Sequence, residues 1–122
     1  MRSAIALLFV GAFLGSVGVA SAAPLTVSEL LGDSDRFNGQ PVTVKGTIAD
    51  FRDSTTRHGT RRYQFHLGDG AQIVNVLTYT KPSCGIGPAM VEGTFSKWKM
   101  KVLYAYEITA RNVICLPKAA GL

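Results

Sequence analysis

An alternation of apolar and polar side chains over residues 42–79 restricts the possible folds of this chain more than any other feature. Two apolar series lie in this stretch with spacings of two or four residues: Val42, Val44 and Ile48, then Tyr63, Phe65 and Leu67. A period of two is typical of strands with one buried face. Asp69 and Gly70 then supply tight-turn chemistry, which predicts a hairpin and a third strand over residues 72–79. That third run is too uniformly apolar to show which side chains face the core.

The rest of the chain predicts a short helix and two more strands. Thr26 and Glu29 have the spacing of a capping box, so we expect a short helix that starts after Thr26, continues through about residues 31–36 and covers one end of the sheet. Alternation resumes at Ala89 for a fourth strand, and a last strand is predicted over about residues 102–113. The segments between these strands are a proline- and glycine-rich loop, residues 81–89, and a basic turn, residues 96–101. We expect four aromatic residues to pack in the core: Tyr63, Phe65, Tyr104 and Tyr106.

The first 22 residues have the three parts of a secretory signal peptide. Arg2 precedes an apolar run over residues 4–20, and small residues before the predicted cleavage point at Ala22 complete the pattern. The alternative is an uncleaved anchor, but glycines interrupt the run, and its length is marginal for a bilayer that needs roughly 20 apolar residues. We therefore expect a periplasmic or secreted protein in which residues 23–122 form one domain without a membrane span.

Export allows the two cysteines of the chain, Cys84 and Cys115, to pair in an oxidising compartment. Closing a loop of about 32 residues would contribute roughly 3–4 kcal/mol in the chain-entropy model. The alternative is two separate buried thiols. Neither cysteine has the neighbours of a metal site or of haem attachment, so we expect no metal and no cofactor.

The order of the strands and loops resembles the OB-fold. The motifs that carry the resemblance are Val42-x-Val44-x-Gly46, Phe65-x-Leu67-x-Asp69-Gly70, Val91-x-Gly93 and Ile108-x-Ala110-x-x-Val113. Together they are similar to nucleic-acid-binding OB-folds, such as tRNA anticodon-binding domains, and to small exported bacterial OB-fold proteins. Many OB-folds have a helix between strands three and four, where this chain has the loop of residues 81–89. The resemblance implies an all-β fold, a five-stranded OB-fold barrel with a short N-terminal helix.

Two glycines also have a physical interpretation within such a barrel. A small closed barrel bends its strands sharply, and Gly46 and Gly93 lie where a backbone can bend or approach another closely. We therefore expect both glycines to serve stability rather than function.

The resemblance further implies a ligand surface on strands two and three, between the loops after strands one and four. Both loops are basic here. The predicted ligand-binding residues are Arg52, Arg57, Arg61, Arg62 and His66, followed by Lys97, Trp98, Lys99 and Lys101. Cations can contact phosphates and an indole can stack on a base. Phe51 is expected beside His66 on the outward face. The alternative is that these loops are ordinary solvated surface and that Trp98 caps the barrel.

The sequence predicts a binding protein rather than an enzyme, because it has no nucleophile motif, phosphate-cradling loop or carboxylate cluster suited to hydrolysis. The predicted partner is single-stranded nucleic acid or another polyanion, bound without base-specific readout. The net charge of +5, or +4 without Arg2, is too modest to decide this. The competing hypothesis is an envelope module that binds a protein partner or a small ligand with the same barrel face. A structural stress protein with no ligand is a third.

Overall fold

The computed structural model describes residues 23–118, so the predicted signal peptide at residues 1–22 lies outside the described part of the chain. The elements in chain order are β1 (Leu25–Thr26), α1 (Val27–Gly32), α2 (Ser34–Phe37), β2 (Pro41–Thr55), β3 (Arg61–Gly68), β4 (Ile73–Thr78), β5 (Gly87–Met100) and β6 (Leu103–Cys115). No helix in residues 23–118 is long and apolar enough to cross a membrane.

Five of the strands close into a barrel. The sheet order is β1-β2-β3-β4-β6-β5, and an additional antiparallel pairing of β2 with β5 closes it. Neighbouring strands are antiparallel except for two parallel pairs, β1 with β2 and β4 with β6. The five long strands occur in the predicted order, which confirms the all-β barrel, whereas the two-residue β1 was not predicted. This short strand pairs with β2 at two positions and does not change the closure of the barrel.

The helical segment begins where the sequence predicts and is interrupted earlier than expected. The Thr26 backbone N–H donates to Glu29 Oε1 at 2.8 Å, and the Glu29 N–H donates to Thr26 Oγ1 at 3.0 Å, which confirms the capping box. The predicted single helix is instead two short helices that meet at Asp33. Val27 and Leu30 of α1 are fully buried among the barrel side chains, so α1 forms part of the core.

Asp69 joins α1 to the turn between β3 and β4. Its carboxylate accepts the Ser28 N–H at 2.8 Å and the N–H groups of Ala71 and Gln72, each at 2.9 Å. A hydrogen bond from the Ser28 side chain contributes most, followed by the backbone N–H groups of Gln72, Ala71 and Ser28, and together they hold the pKa of Asp69 well below its usual range. The residue next to Asp69 is Gly70, whose φ of +93° suits glycine. The predicted Asp-Gly hairpin is confirmed.

The barrel core consists of the inward side chains of every long strand. Those that are fully buried include Val44, Ile48, Phe65, Leu67, Val76, Val91, Phe95 and Ile108. Two glycines permit the close strand contacts around this core. A Cβ at Gly46 would lie 2.7 Å from the Gly68 carbonyl oxygen, and one at Gly93 would lie 2.7 Å from Ala110 Cα. Both distances are too short for a real side chain, so the predicted close approaches are confirmed.

A bulge in β2 reverses which residues face inward. The register with β3 shifts between Ala49 and Arg52, and Asp50 adopts a positive φ of 55°. One extra residue in a strand exchanges its inward and outward faces. Phe51 therefore turns inward and stacks on Tyr63 and Phe65, with ring centroids 6.1 and 6.5 Å apart. The prediction that Phe51 faces outward is wrong for this reason.

The two segments predicted as basic loops are mostly strand. The first is a hairpin in which β2 continues to Thr55 and β3 begins at Arg61, and the second is a hairpin with its turn at Lys101 and Val102. Tyr63, Phe65 and Tyr106 pack in or against the core as predicted. Tyr104 is 52% exposed, contrary to prediction, because β6 at this point extends past the barrel as part of the second hairpin.

The predicted disulfide is confirmed: Cys84 and Cys115 are bonded to each other. The bond joins the loop between β4 and β5 to the end of β6. The Leu116 N–H also donates to the Pro88 carbonyl at 3.0 Å, so the end of β6 is held both to this loop and to the start of β5.

Candidate functional site

The candidate site is the outward face of β3 and β4 together with the hairpins on either side. Paired residues in a sheet project from the same face. One row across that face runs through Ala49, His66, Asn75, Glu107 and Ser96, each paired with the next in the strand register. We call this surface the outer face.

The two hairpins extend from opposite ends of β4. The β2–β3 hairpin continues past the pairing of Tyr63 with Thr78, while β6 extends beyond its Asn75–Glu107 pairing towards Leu103, on the side where β4 begins. The six residues of β4 span about 20 Å at 3.3 Å per residue. A ligand that touches both hairpins must therefore run at least this length across the outer face.

The β2–β3 hairpin brings two of its predicted cations onto the outer face. Arg52 pairs with Gln64, and Arg62 pairs with Ser54, whose hydroxyl accepts from Arg62 Nε at 3.2 Å. Arg61 alternates with these residues and makes an ion pair with Asp53 at 3.4 Å. In the turn at the far end of the hairpin, Arg57 and His58 are exposed.

Tyr79 is an exposed aromatic residue that the sequence did not single out. It follows the last residue of β4, Thr78, and is 54% exposed. Thr78 pairs with Tyr63, the neighbour of Arg62 in β3, so Tyr79 and Arg62 lie at the same end of the outer face. Alternation with the buried Val74, Val76 and Thr78 would have identified it, but the uniformly apolar run of residues 73–77 concealed that alternation.

The middle of the outer face is polar and carries two carboxylates. His66 Nδ1 lies 3.0 Å from Asp50 Oδ2, and the Asn75 amide donates to Glu107 Oε2 at 2.8 Å. His66 is partly exposed, as predicted. A depression of about 400 Å³ lies here, lined by Thr47, Ala49, Asp50, His66, Gly68, Gly70, Ala71, Gln72 and Ile73. No group of three or more His, Cys, Asp or Glu side chains in residues 23–118 is placed to hold a metal ion.

Lys97 is held by α2 and its neighbours. Its ammonium donates to Asp35 at 2.6 Å and lies 4.6 Å from the centre of the Tyr104 ring, and its side chain is only 14% exposed. The hydrogen bond to Asp35 raises the pKa of Lys97. The Lys97 backbone N–H donates to Asn38 Oδ1 at 2.9 Å. These contacts tie the base of the β5–β6 hairpin to the helical segment.

The other predicted residues of this hairpin are exposed. Trp98 pairs with Ala105 on the outer face and is 43% exposed. Lys99 alternates with Trp98 and pairs with Tyr104 on the opposite face of the hairpin. Lys101 lies in the turn with a positive φ of 57°. The structure therefore brings together Arg52, Arg62, His66 and Trp98 on one continuous face, and holds Arg61 and Lys97 in ion pairs.

No protein-family model matches the chain, and no curated protein matches it in sequence. Solved structures do match. A chain assigned as an aspartyl-tRNA synthetase from Leishmania major Friedlin matches with a TM-score of 0.63 at 14% identity over 84% of this chain, which spans 22% of the synthetase. The mitochondrial single-stranded DNA binding protein Rim1 from S. cerevisiae matches with a TM-score of 0.54 at 12% identity, covering 67% of this chain and 100% of Rim1. At these identities the likeness concerns the fold. The closed barrel, its strand order and these matches identify the chain as an OB-fold protein.

Proposed function

We propose that this protein is an exported OB-fold module that binds single-stranded nucleic acid, or another extended polyanion, across its outer face. One observation carries the proposal. A cation and an exposed aromatic ring, Arg62 and Tyr79, lie at one end of the face, and Trp98 lies at the other with Lys99 and Lys101 in the same hairpin. Cations that contact phosphates and rings that stack on bases are the two elements of sequence-independent single-strand binding.

The ion pairs divide the predicted residues by role. Lys97 and Arg61 already face carboxylates, so their charge contributes little to a phosphate contact. We assign phosphate binding to Arg52, Arg57 and Arg62 at one hairpin and to Lys101 in the turn of the other, whereas Lys99 lies on the face of the hairpin opposite to Trp98. Binding without catalysis is part of the proposal. The two resembling proteins that support it are described as a tRNA synthetase and a single-stranded DNA binding protein.

A specific observation favours the competing function, an envelope module for a protein partner or a small ligand. Asp50 and Glu107 lie in the middle of the outer face and repel phosphates there. Each carboxylate has a polar neighbour that weakens this repulsion, His66 for Asp50 and Asn75 for Glu107. A nucleic acid would therefore make its contacts at the ends of the face.

Export is supported by the Cys84–Cys115 disulfide, because disulfides persist in oxidising compartments.

The test is a titration of oxidised residues 23–122 with a labelled single-stranded oligonucleotide at low and at physiological salt. These residues contain the barrel strands, the core and the disulfide of the described part of the chain. We expect saturable binding that weakens steeply with salt and quenches Trp98. Trp98→Ala should weaken binding by roughly 1–3 kcal/mol through lost stacking. Arg62→Gln should reduce the salt slope by about one.

Lys45→Gln is the matched control for the charge change, because Lys45 is an exposed cation on β2 that pairs with Thr26 and Met90, away from both hairpins. It should leave the salt slope nearly unchanged. A folded Trp98→Ala protein that binds as well as the parent would contradict the stacking role. Absence of binding at low salt would reject the nucleic-acid proposal and direct the search to an envelope protein partner.

A further inference from the structure

The free end of the β5–β6 hairpin, residues 98–104, concentrates exposed apolar surface; we call it the hairpin tip. Eight large hydrophobic residues are exposed in residues 23–118, and five of them lie within these seven positions. The five are Trp98, Met100, Val102, Leu103 and Tyr104. Val102 is 86% exposed and Leu103 71%. Single exposed apolar residues are ordinary on a protein surface, whereas a contiguous group indicates an interaction site.

The hairpin tip projects beyond the barrel. Pairing of β5 with β2 ends at Thr94, and the pairing of β6 with β4 involves no residue before Glu107. Between these limits β5 and β6 pair only with each other among the described residues, down to the pairing of Met100 with Leu103. The base of this two-stranded hairpin is fixed by the Lys97–Asp35 ion pair. A rigid base with an uncovered end presents the apolar residues outward.

Two lysines accompany the apolar side chains of the hairpin tip. Trp98, Met100 and Leu103 lie on one face, Lys99 lies on the other, and Lys101 is in the turn. Apolar side chains that enter an acyl region, rings suited to the interface and lysines directed to headgroups are the features of a peripheral membrane contact. Each lysine near an anionic lipid surface adds attraction within a Debye length.

From this juxtaposition we propose that the hairpin tip inserts into the interface of a membrane that contains anionic lipids. The charges argue against a second copy of the chain as the occupant. A symmetric contact between two tips would bring Lys99 and Lys101 of both copies together, and like charges at an interface oppose association. The proposal goes beyond polyanion binding by the outer face, in which Met100, Val102 and Leu103 have no role.

The test is co-sedimentation of residues 23–122 with phosphatidylcholine vesicles that contain or lack phosphatidylglycerol. Starting at Ala23 removes the apolar run of residues 4–20, which would itself bind lipid. We expect binding only to the vesicles with phosphatidylglycerol, accompanied by a blue shift of Trp98, the single tryptophan of the chain. The double substitution Val102→Ser with Leu103→Ser should lower the partition coefficient at least about ten-fold, because it removes most of the apolar area of the turn.

Ile86→Ser is the matched control. Ile86 is 74% exposed in the loop that contains Cys84. Its substitution removes a comparable apolar side chain outside the hairpin. It should leave the partition coefficient within about two-fold of the parent. Three results would each overturn the proposal: no binding to phosphatidylglycerol vesicles at low salt, unchanged binding by the double variant, or an equal loss in the Ile86 control. A dimer that the double variant dissociates, without vesicle binding, would assign the tip to a second copy.

The double variant also separates this proposal from the proposed function. Val102 and Leu103 are not among the residues assigned to polyanion binding, so oligonucleotide binding should persist when vesicle binding is lost. If the parent protein binds the vesicles and does not bind the oligonucleotide, the proposed function is rejected and the membrane contact is retained.

Discussion

Gly93 allows β5 and β6 to approach each other at the register shift between Glu92 and Gly93. A Cβ at this position would lie 2.7 Å from Ala110 Cα and 2.8 Å from the Thr109 carbonyl carbon. Carbon atoms in ordinary contact are about 3.5–4.0 Å apart, so Gly93→Ala requires the two strands to separate by roughly 1 Å. Both contacts are backbone atoms, which cannot rotate away as a side chain can.

We expect Gly93→Ala to lower the free energy of unfolding by about 1–3 kcal/mol, the usual cost of overpacking. Alanine also reduces the entropy of the unfolded chain, which offsets about 0.4–1 kcal/mol of the clash. The clash should outweigh this entropy gain, because β5 and β6 pair over the longest register in the barrel and cannot separate at one position without disturbing their neighbouring pairs. At about 4–8 °C per kcal/mol for a domain of this size, the midpoint temperature should fall visibly.

Urea unfolding of the oxidised protein, followed by far-ultraviolet circular dichroism, measures this change. The control is Gly85→Ala, because a Cβ at Gly85 meets no atom within 4 Å. That variant should stay within about 0.5 kcal/mol of the parent. A Gly93→Ala protein as stable as the Gly85→Ala protein would refute the argument that the close approach requires glycine.

Two further predictions concern Phe51 and Asp69. Phe51→Ala should cost about 1.5–2.5 kcal/mol of unfolding free energy, less than the roughly 3–5 kcal/mol for a fully buried ring, because Phe51 is half-buried against Tyr63 and Phe65. If urea unfolding shows a decrease in unfolding free energy below about 0.5 kcal/mol, the inward packing of Phe51 is contradicted. Asp69→Asn should lower the thermal midpoint most near neutral pH. The folded-state pKa of Asp69 lies below that of the unfolded chain, so its stabilisation is complete above about pH 5 and is lost as the pH falls below about 4. The gap between parent and variant should therefore narrow in acid, and a gap independent of pH would contradict the charge-assisted contacts.

The features predicted correctly from the sequence depend on short-range chemistry. Thr26 and Glu29 cap a helix through groups three residues apart, and Asp69-Gly70 turns the chain within four residues. Four of the five strands also follow from period-two patterns that each strand carries alone, and the third follows from its apolar run after the Asp69-Gly70 turn. The chain has two cysteines, so the expectation of an oxidising compartment was enough to predict that they pair.

The features that the sequence did not predict depend on distant partners or on an exact count of residues. The bulge at Asp50 inserts one residue and so turns Phe51 inward, although the alternation before it places Phe51 outside. Lys97 is an unremarkable surface cation in the sequence, but it pairs with Asp35, 62 residues earlier in the chain. Tyr104 lies outside the core because the first residues of β6, before Glu107, extend beyond β4.

The sequence by itself determined the succession of strands, the disulfide and the basic character of the two hairpins, because periodicity, turn residues and composition are local properties. The closed barrel was implied by the resemblance of that succession to the OB-fold. The tertiary structure alone decided which of those cations remain available to a ligand. It paired Arg61 with Asp53 and Lys97 with Asp35, left Arg62 and Trp98 on the outer face, and left Tyr79 exposed just after the end of β4. Availability depends on which distant groups the folded backbone brings within a few ångströms, and no local pattern records those distances.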